Sequence, residues 1–112
     1  MLTKEALDAL GAETAEGIAR CVNNEEFYLN LVKKILEQDD LDQLKAAVES
    51  GDMDAAFERA HAMKGAYGNL SLTSLFEPAS AMTEELRSRN NIDYSVYVDQ
   101  LSEMLDKYRA LL

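Results

Sequence analysis

The chain is poor in residues that interrupt helices: its 112 residues include five glycines and one proline. With so few breakers, and with many alanines, leucines, glutamates and lysines, helices are favoured over sheets. Cysteine is almost absent. Cys21 stands alone, so no internal disulfide can form; it fits a reducing, cytoplasmic compartment, and its apolar setting reads as burial. No apolar run approaches the roughly 20 residues that cross a bilayer. Residues 1–10 lack a basic stretch followed by an apolar one and do not read as a signal peptide. There is no P-loop or other glycine-rich nucleotide motif, so nothing points to an autonomous kinase. One histidine and scattered carboxylates do not make a zinc site, and no intrinsic cofactor is expected.

Apolar residues make up 47% and charged residues 29%, the balance of a soluble globular chain rather than a disordered one. The formal net charge is -10. A chain of that sign repels phosphate backbones and anionic lipid, which argues against nucleic-acid or membrane partners. The plainer reading of the acidity is solubility. The length suits one domain over residues 1–112, with no internal repeat, low-complexity tract or linker.

Amphipathic patterning divides the chain into helices. Thr3 can cap a short helix to Leu10, and Glu13–Val22 forms another, weakened by Gly17. Asn24 caps a helix to about Gln38, with Tyr28, Leu31, Val32, Ile35 and Leu36 on one stripe. After a break at Asp39-Asp40, Leu41, Leu44 and Val48 recur at helical spacing until Gly51. Asp52 then starts a helix to about Leu70, whose Met53, Ala56, Ala60, Met63, Tyr67 and Leu70 make a bundle-type buried stripe. Another covers Thr73 to Arg89, although Pro78 suits only a first turn and leaves the true start open. Asp93 can cap the last helix, which carries Tyr94, Tyr97, Val98, Leu101, Met104, Leu105, Tyr108 and Leu111. The fold class is all-α, an antiparallel four-helix bundle with one or two short N-terminal helices.

His61 is the only histidine. At about 100° per residue it lies about 120° or more from the centre of its helix's buried stripe, hence at the surface. Lys64, Gly65 and Gly68 follow at three, four and seven residues, on the same face. Glycine in a helix interior costs about 1 kcal/mol relative to alanine, so two on one face beside a histidine need a reason. One reason is access: bare backbone exposes the imidazole to a bulky partner. Neutral imidazole is a competent nucleophile near pH 7. Lys64 would place a positive charge where a phosphoryl group would sit. Phe57, one turn earlier, would offer an exposed apolar docking contact. The plainer alternative is a bystander histidine with Gly65 and Gly68 permitting close helix packing.

The run Ala60-His61-Ala62-Met63-Lys64-Gly65-Ala66-Tyr67-Gly68-Asn69-Leu70 resembles the signature of histidine phosphotransfer (HPt) domains, His-x-apolar-Lys-Gly followed by small residues and an Asn-Leu pair. The Gly51-Asp52 turn upstream, the helical phasing and the chain length are similar as well. The resemblance implies a four-helix bundle with an exposed phospho-accepting histidine mid-helix. It implies acceptance on His61, phosphoryl stabilisation by Lys64 and steric clearance at Gly65. It also implies a polar or basic side chain from the following helix near the site, with Arg87 and Thr83 as candidates. The sequence departs at Ser71, where many members have glycine, and at Gly68, where many have a small non-glycine residue. Those departures bear on the end of the helix rather than on the chemistry.

The expected role is a phosphorelay intermediate that takes a phosphoryl group from a receiver-domain aspartate and passes it to another receiver. Its partners would be response-regulator receiver domains and a hybrid sensor histidine kinase, with Mg²⁺ on the receiver. A monomer is expected, because one core consumes the apolar stripes. Two alternatives stand beside this: the phospho-accepting domain of a larger sensor or chemotaxis kinase, and a helical interaction bundle without phosphate chemistry. Met1 is compatible with a free-standing small protein.

Overall fold

Three helix starts carry the caps their sequences predict. Thr3 Oγ1 accepts from the Ala6 N–H at 3.1 Å, Asn24 Oδ1 from Phe27 at 3.0 Å and Asp52 Oδ1 from Ala55 at 3.1 Å. Each cap satisfies an amide that has no partner within its own first turn. They open α1 (Lys4–Ala9), α3 (Glu25–Glu37) and α5 (Met53–Asn69). The computed structural model describes residues 1–112, and four more helices complete it: α2 (Thr14–Arg20), α4 (Asp40–Ser50), α6 (Thr73–Arg87) and α7 (Ser95–Arg109). There are no strands.

Five of the seven helix ends follow one rule. At the ends of α1, α2, α4, α5 and α6, a residue with positive φ turns the chain away: Gly11, Val22, Gly51, Ser71 and Arg89. In each, the next amide reaches back to the last turn, as in Leu72 N–H to the Tyr67 carbonyl and Asn90 N–H to Glu85. That is the Schellman closure, which favours glycine at the left-handed position. Two of the five use glycine; the others carry a Cβ through a strained conformation. Ser71 is held there by its neighbours: Arg20 donates to its Oγ at 2.7 Å and to the Gly68 carbonyl at 3.0 Å. So α5 ends as it would with glycine at position 71.

α4, α5, α6 and α7 pack in a closed ring, each touching the next and α7 returning to α4. α3 extends the bundle past the break at Gln38, where the backbone is extended, and packs on α7. Arg109, in the last turn of α7, donates to the Leu36 and Gln38 carbonyls at 2.7 and 2.9 Å, satisfying the end that the break exposes. The ring buries the predicted stripes: Ala56, Ala60, Met63 and Tyr67 from α5 meet Leu75, Ala79, Met82 and Leu86 from α6 and Val98, Leu101, Leu105 and Tyr108 from α7. Cys21 is buried, as its setting suggests.

α2 closes one end, and Gly17 explains how. An added Cβ would lie 2.4 Å from the Tyr28 ring and 2.8 Å from the Leu70 carbonyl oxygen. The glycine that weakens α2 as a helix is therefore what lets it seat on α3 and the end of α5. Tyr28 OH donates to that same Leu70 carbonyl at 2.7 Å. Burial pushes the Tyr28 phenol above the usual tyrosine range, with Tyr108 and Asp8 adding to the effect. Burial likewise raises Tyr67 and Tyr108.

α6 begins at Thr73, as its patterning predicts, which leaves Pro78 in the second turn rather than the first. The proline removes the hydrogen bond that residue 78 would donate to the Ser74 carbonyl. A polar hollow of about 400 Å³, lined by Ser74, Pro78, Gln100 and Lys107 among others, opens at that point. Asp93 sits one residue before the α7 cap position, which Tyr94 holds without a side-chain bond. Its carboxylate instead accepts from Ser95 N–H at 3.0 Å and Ser95 Oγ at 2.6 Å, bonds that hold it below the usual carboxylate range.

Candidate functional site

α5 presents two unlike faces. One is the buried stripe; the other carries His61, which is exposed. The same periodicity produces both, since His61 follows Ala60 by about 100° and leaves the core as Ala60 enters it. The imidazole is positioned by stacking: the Phe57 ring lies parallel to it, within 5°, with centroids 5.7 Å apart. Aromatic rings at i and i+4 meet on a helix in this way.

Two cations also lie over the Phe57 ring. The Arg87 guanidinium lies 5.1 Å from the ring centroid and that of Arg89 5.6 Å. Phe57 is therefore half-buried, not the exposed docking contact that its spacing suggested. Its ring contacts His61 and two arginines at once, an arrangement that draws positive charge toward the histidine.

Lys64 is half-buried on the His61 face, with its Nζ 3.8 Å from Glu84 Oε1. The other oxygen of Glu84 accepts from Arg87 Nε at 3.2 Å. One carboxylate thus links the two cations. The Glu84–Arg87 spacing of three residues on one helix was readable from sequence. Its reach across to Lys64 was not, because it depends on how α6 packs on α5.

The two glycines of this face separate. At Gly65 an added Cβ would meet nothing within 4 Å. At Gly68 it would lie 3.1 Å from the Phe76 ring. Gly65 leaves open space beside the imidazole, while Gly68 lets α6 approach α5. Together with His61, Lys64, Asn69 and Phe76 they line a shallow hollow of about 260 Å³. A second groove, lined by Arg20, Ser71, Thr73 and others, shares Gly68 and Phe76 with it.

Thr83 stands apart from the expected site. It is fully buried, and its hydroxyl donates 2.7 Å to the Ala79 carbonyl of its own helix. A threonine facing the core of a helix uses its hydroxyl in this way, so it offers nothing to the His61 face. Arg87 does reach that face, through Phe57 and Glu84. Sequence reasoning missed Glu84, Arg89 and Phe76, and named Asn69 only as part of the motif's Asn-Leu pair. The sequence reading carried this helix to Arg89, but α6 ends at Arg87 and Arg89 lies in the left-handed closure after it, so its helical phase did not place it.

No group of three or more histidine, cysteine, aspartate or glutamate side chains converges anywhere as a metal site would require. No helix is long and apolar enough to cross a membrane. What the site holds is a solvent-facing imidazole with a flat aromatic behind it, open space on one flank and a lysine–glutamate–arginine chain on the other. That can attack an electrophile carried in by a second large molecule, and cannot enclose a small one.

A family model described as the Hpt domain matches residues 37–111 of the chain. The matched span contains α4 to α7, the whole ring, and every residue of the His61 face. Searches of curated proteins and of solved structures returned no match.

Proposed function

The chain belongs to the Hpt domain family, and on that premise we propose that it is a cytoplasmic, monomeric phosphorelay intermediate in which His61 accepts a phosphoryl group from a receiver-domain aspartate and passes it to another receiver. The observation that carries this reading is the exposed imidazole beside Gly65, where the backbone leaves room for a protein-sized donor.

The transfer needs no acid or base from elsewhere in the chain. A lone pair on one nitrogen of neutral His61 attacks phosphorus in line. The N–P bond forms as the P–O bond of the aspartyl phosphate breaks, and the aspartate leaves with the electron pair as a carboxylate. The other ring nitrogen keeps its proton through the step. Reversal on a second receiver regenerates free His61. Such reactions depend on positioning and charge neutralisation more than on covalent assistance. Phe57 positions the ring, Gly65 clears the approach, and Lys64 and Arg87 bring positive charge near the transferring oxygens. Magnesium, in this reading, is held by the receiver.

The test is a two-step transfer. A receiver charged with a small-molecule acyl phosphate and radiolabelled phosphorus is mixed with the chain, and a second, uncharged receiver is then added. The wild-type chain takes up label and delivers it. The His61→Gln variant, with unchanged helical content, takes none. Label on His61→Gln, or none on the wild type from any receiver, overturns the assignment.

A further inference from the structure

Glu84 is the one acidic group bonded to both Lys64 and Arg87, whereas Arg89 pairs with Asp54, and folding does not account for it. Its side chain is 57% exposed, and so loosely held a pair contributes little to stability. Yet its two oxygens are divided between the two cations, Oε1 toward Lys64 and Oε2 toward Arg87. The longer of these contacts, at 3.8 Å, is the one to the lysine nearest His61 in sequence.

Resting on the phosphocarrier reading above, we propose that Glu84 is a positioning residue: a placeholder for the phosphoryl group that occupies Lys64 while His61 is free and must release it when His61 is phosphorylated. The arriving group brings a charge of about −1.5 to −2 and strong acceptor oxygens. A carboxylate and a phosphoryl group cannot both keep Lys64 without mutual repulsion. Glu84, exposed and on a flexible side chain, is free to swing toward Arg87 or solvent; Lys64, half-buried, is not. Glu84 therefore competes with the phosphorylated state, so the phosphoryl group stays exchangeable on His61.

The consequence is measurable. In Glu84→Gln, the equilibrium of phosphoryl transfer from a receiver to His61 shifts toward His61 by about threefold, the scale of one exposed charge pair. The gain shrinks as salt screens the interaction, with a Debye length near 10 Å at 0.1 M. In a Lys64→Gln background, Glu84→Gln changes the equilibrium far less, because the residue it occupies is gone. The measurement is the ratio of phosphorylated chain to phosphorylated receiver at equilibrium, by intact mass, for the four proteins of the cycle at low and high salt.

An unchanged or lowered equilibrium in Glu84→Gln, on a sample of wild-type helicity, overturns the proposal. So does an equal gain in the Lys64→Gln background, which would mean that Glu84 acts on the phosphoryl group directly. If Lys64→Gln takes up too little to measure, the salt series decides: a threefold gain that persists at high salt overturns the proposal. A wild-type chain that accepts nothing defeats the phosphocarrier reading itself, an outcome distinct from all of these.

Discussion

At Gly17 an added Cβ would lie 2.4 Å from the Tyr28 ring and 2.8 Å from a backbone carbonyl oxygen; at Gly65 it would meet nothing within 4 Å. The first glycine sits in a crevice where α2, Tyr28 of α3 and the end of α5 close on one another. The second sits on an open helix face beside His61. Both weaken their helices by the same intrinsic amount, about 1 kcal/mol relative to alanine. One makes close packing possible, and the other keeps a surface bare. The comparison teaches that glycine in a helix is a statement about its neighbours, and that only the presence or absence of those neighbours separates a packing glycine from a docking one.

The sharpest way to break the comparison is to put alanine at both positions. Gly17→Ala forces a methyl group against a ring and a carbonyl that cannot both retreat. Overpacking outweighs the gain in helix propensity, and stability falls by about 2 kcal/mol, read as a lower urea midpoint. A neutral result would show that the crevice relaxes freely.

Alkali should act on the buried core, the Gly17 crevice included, and spare the open face. Burial raises the phenols of Tyr28, Tyr67 and Tyr108 in the folded chain, whereas in the unfolded chain they ionise near 10. Their neutral forms are thus retained by folding. That contribution is complete below about pH 10 and declines as pH rises from there toward the folded values, because the unfolded chain loses protons first. The expected slope is no more than about 1.4 kcal/mol per pH unit for each tyrosine. Urea unfolding at pH 8, 9 and 10.5 checks the sign: flat to pH 9, falling beyond.

Gly65→Ala is the smallest change in stability and runs the other way. With no neighbour to meet, the alanine should raise stability by about 0.5–1 kcal/mol. Phosphoryl uptake from a receiver should slow at the same time, by about tenfold or more, since small misplacements of reacting groups are costly. Greater stability with unchanged uptake would make Gly65 irrelevant to docking.

Much of this architecture was readable before any coordinates. Caps at Thr3, Asn24 and Asp52, the stop at Gly51 and the alternation of core residues on α5 are local signals, and local signals survive folding. The exposed position of His61 followed from the same phase. What could not be read depends on contacts between helices. Gly65 and Gly68 have identical sequence credentials, and only the Phe76 ring tells them apart. Thr83 and Arg87 lie four apart on α6, yet one faces the core and the other reaches Phe57. Phe57 read as exposed because nothing in the sequence places two arginines over it. Ser71 read as a departure that could alter the end of α5; Arg20, 51 residues away, holds it in the glycine-like turn.

The central claim is that the open face of α5 carries a phosphoryl group on nitrogen. Phosphorus NMR of the chain, after exposure to a charged receiver and removal of that receiver, tests it most directly. The account predicts one phosphoramidate resonance, lost on mild acidification and absent from His61→Gln. An acid-stable phosphate ester, or a phosphoramidate that survives in His61→Gln, would contradict it.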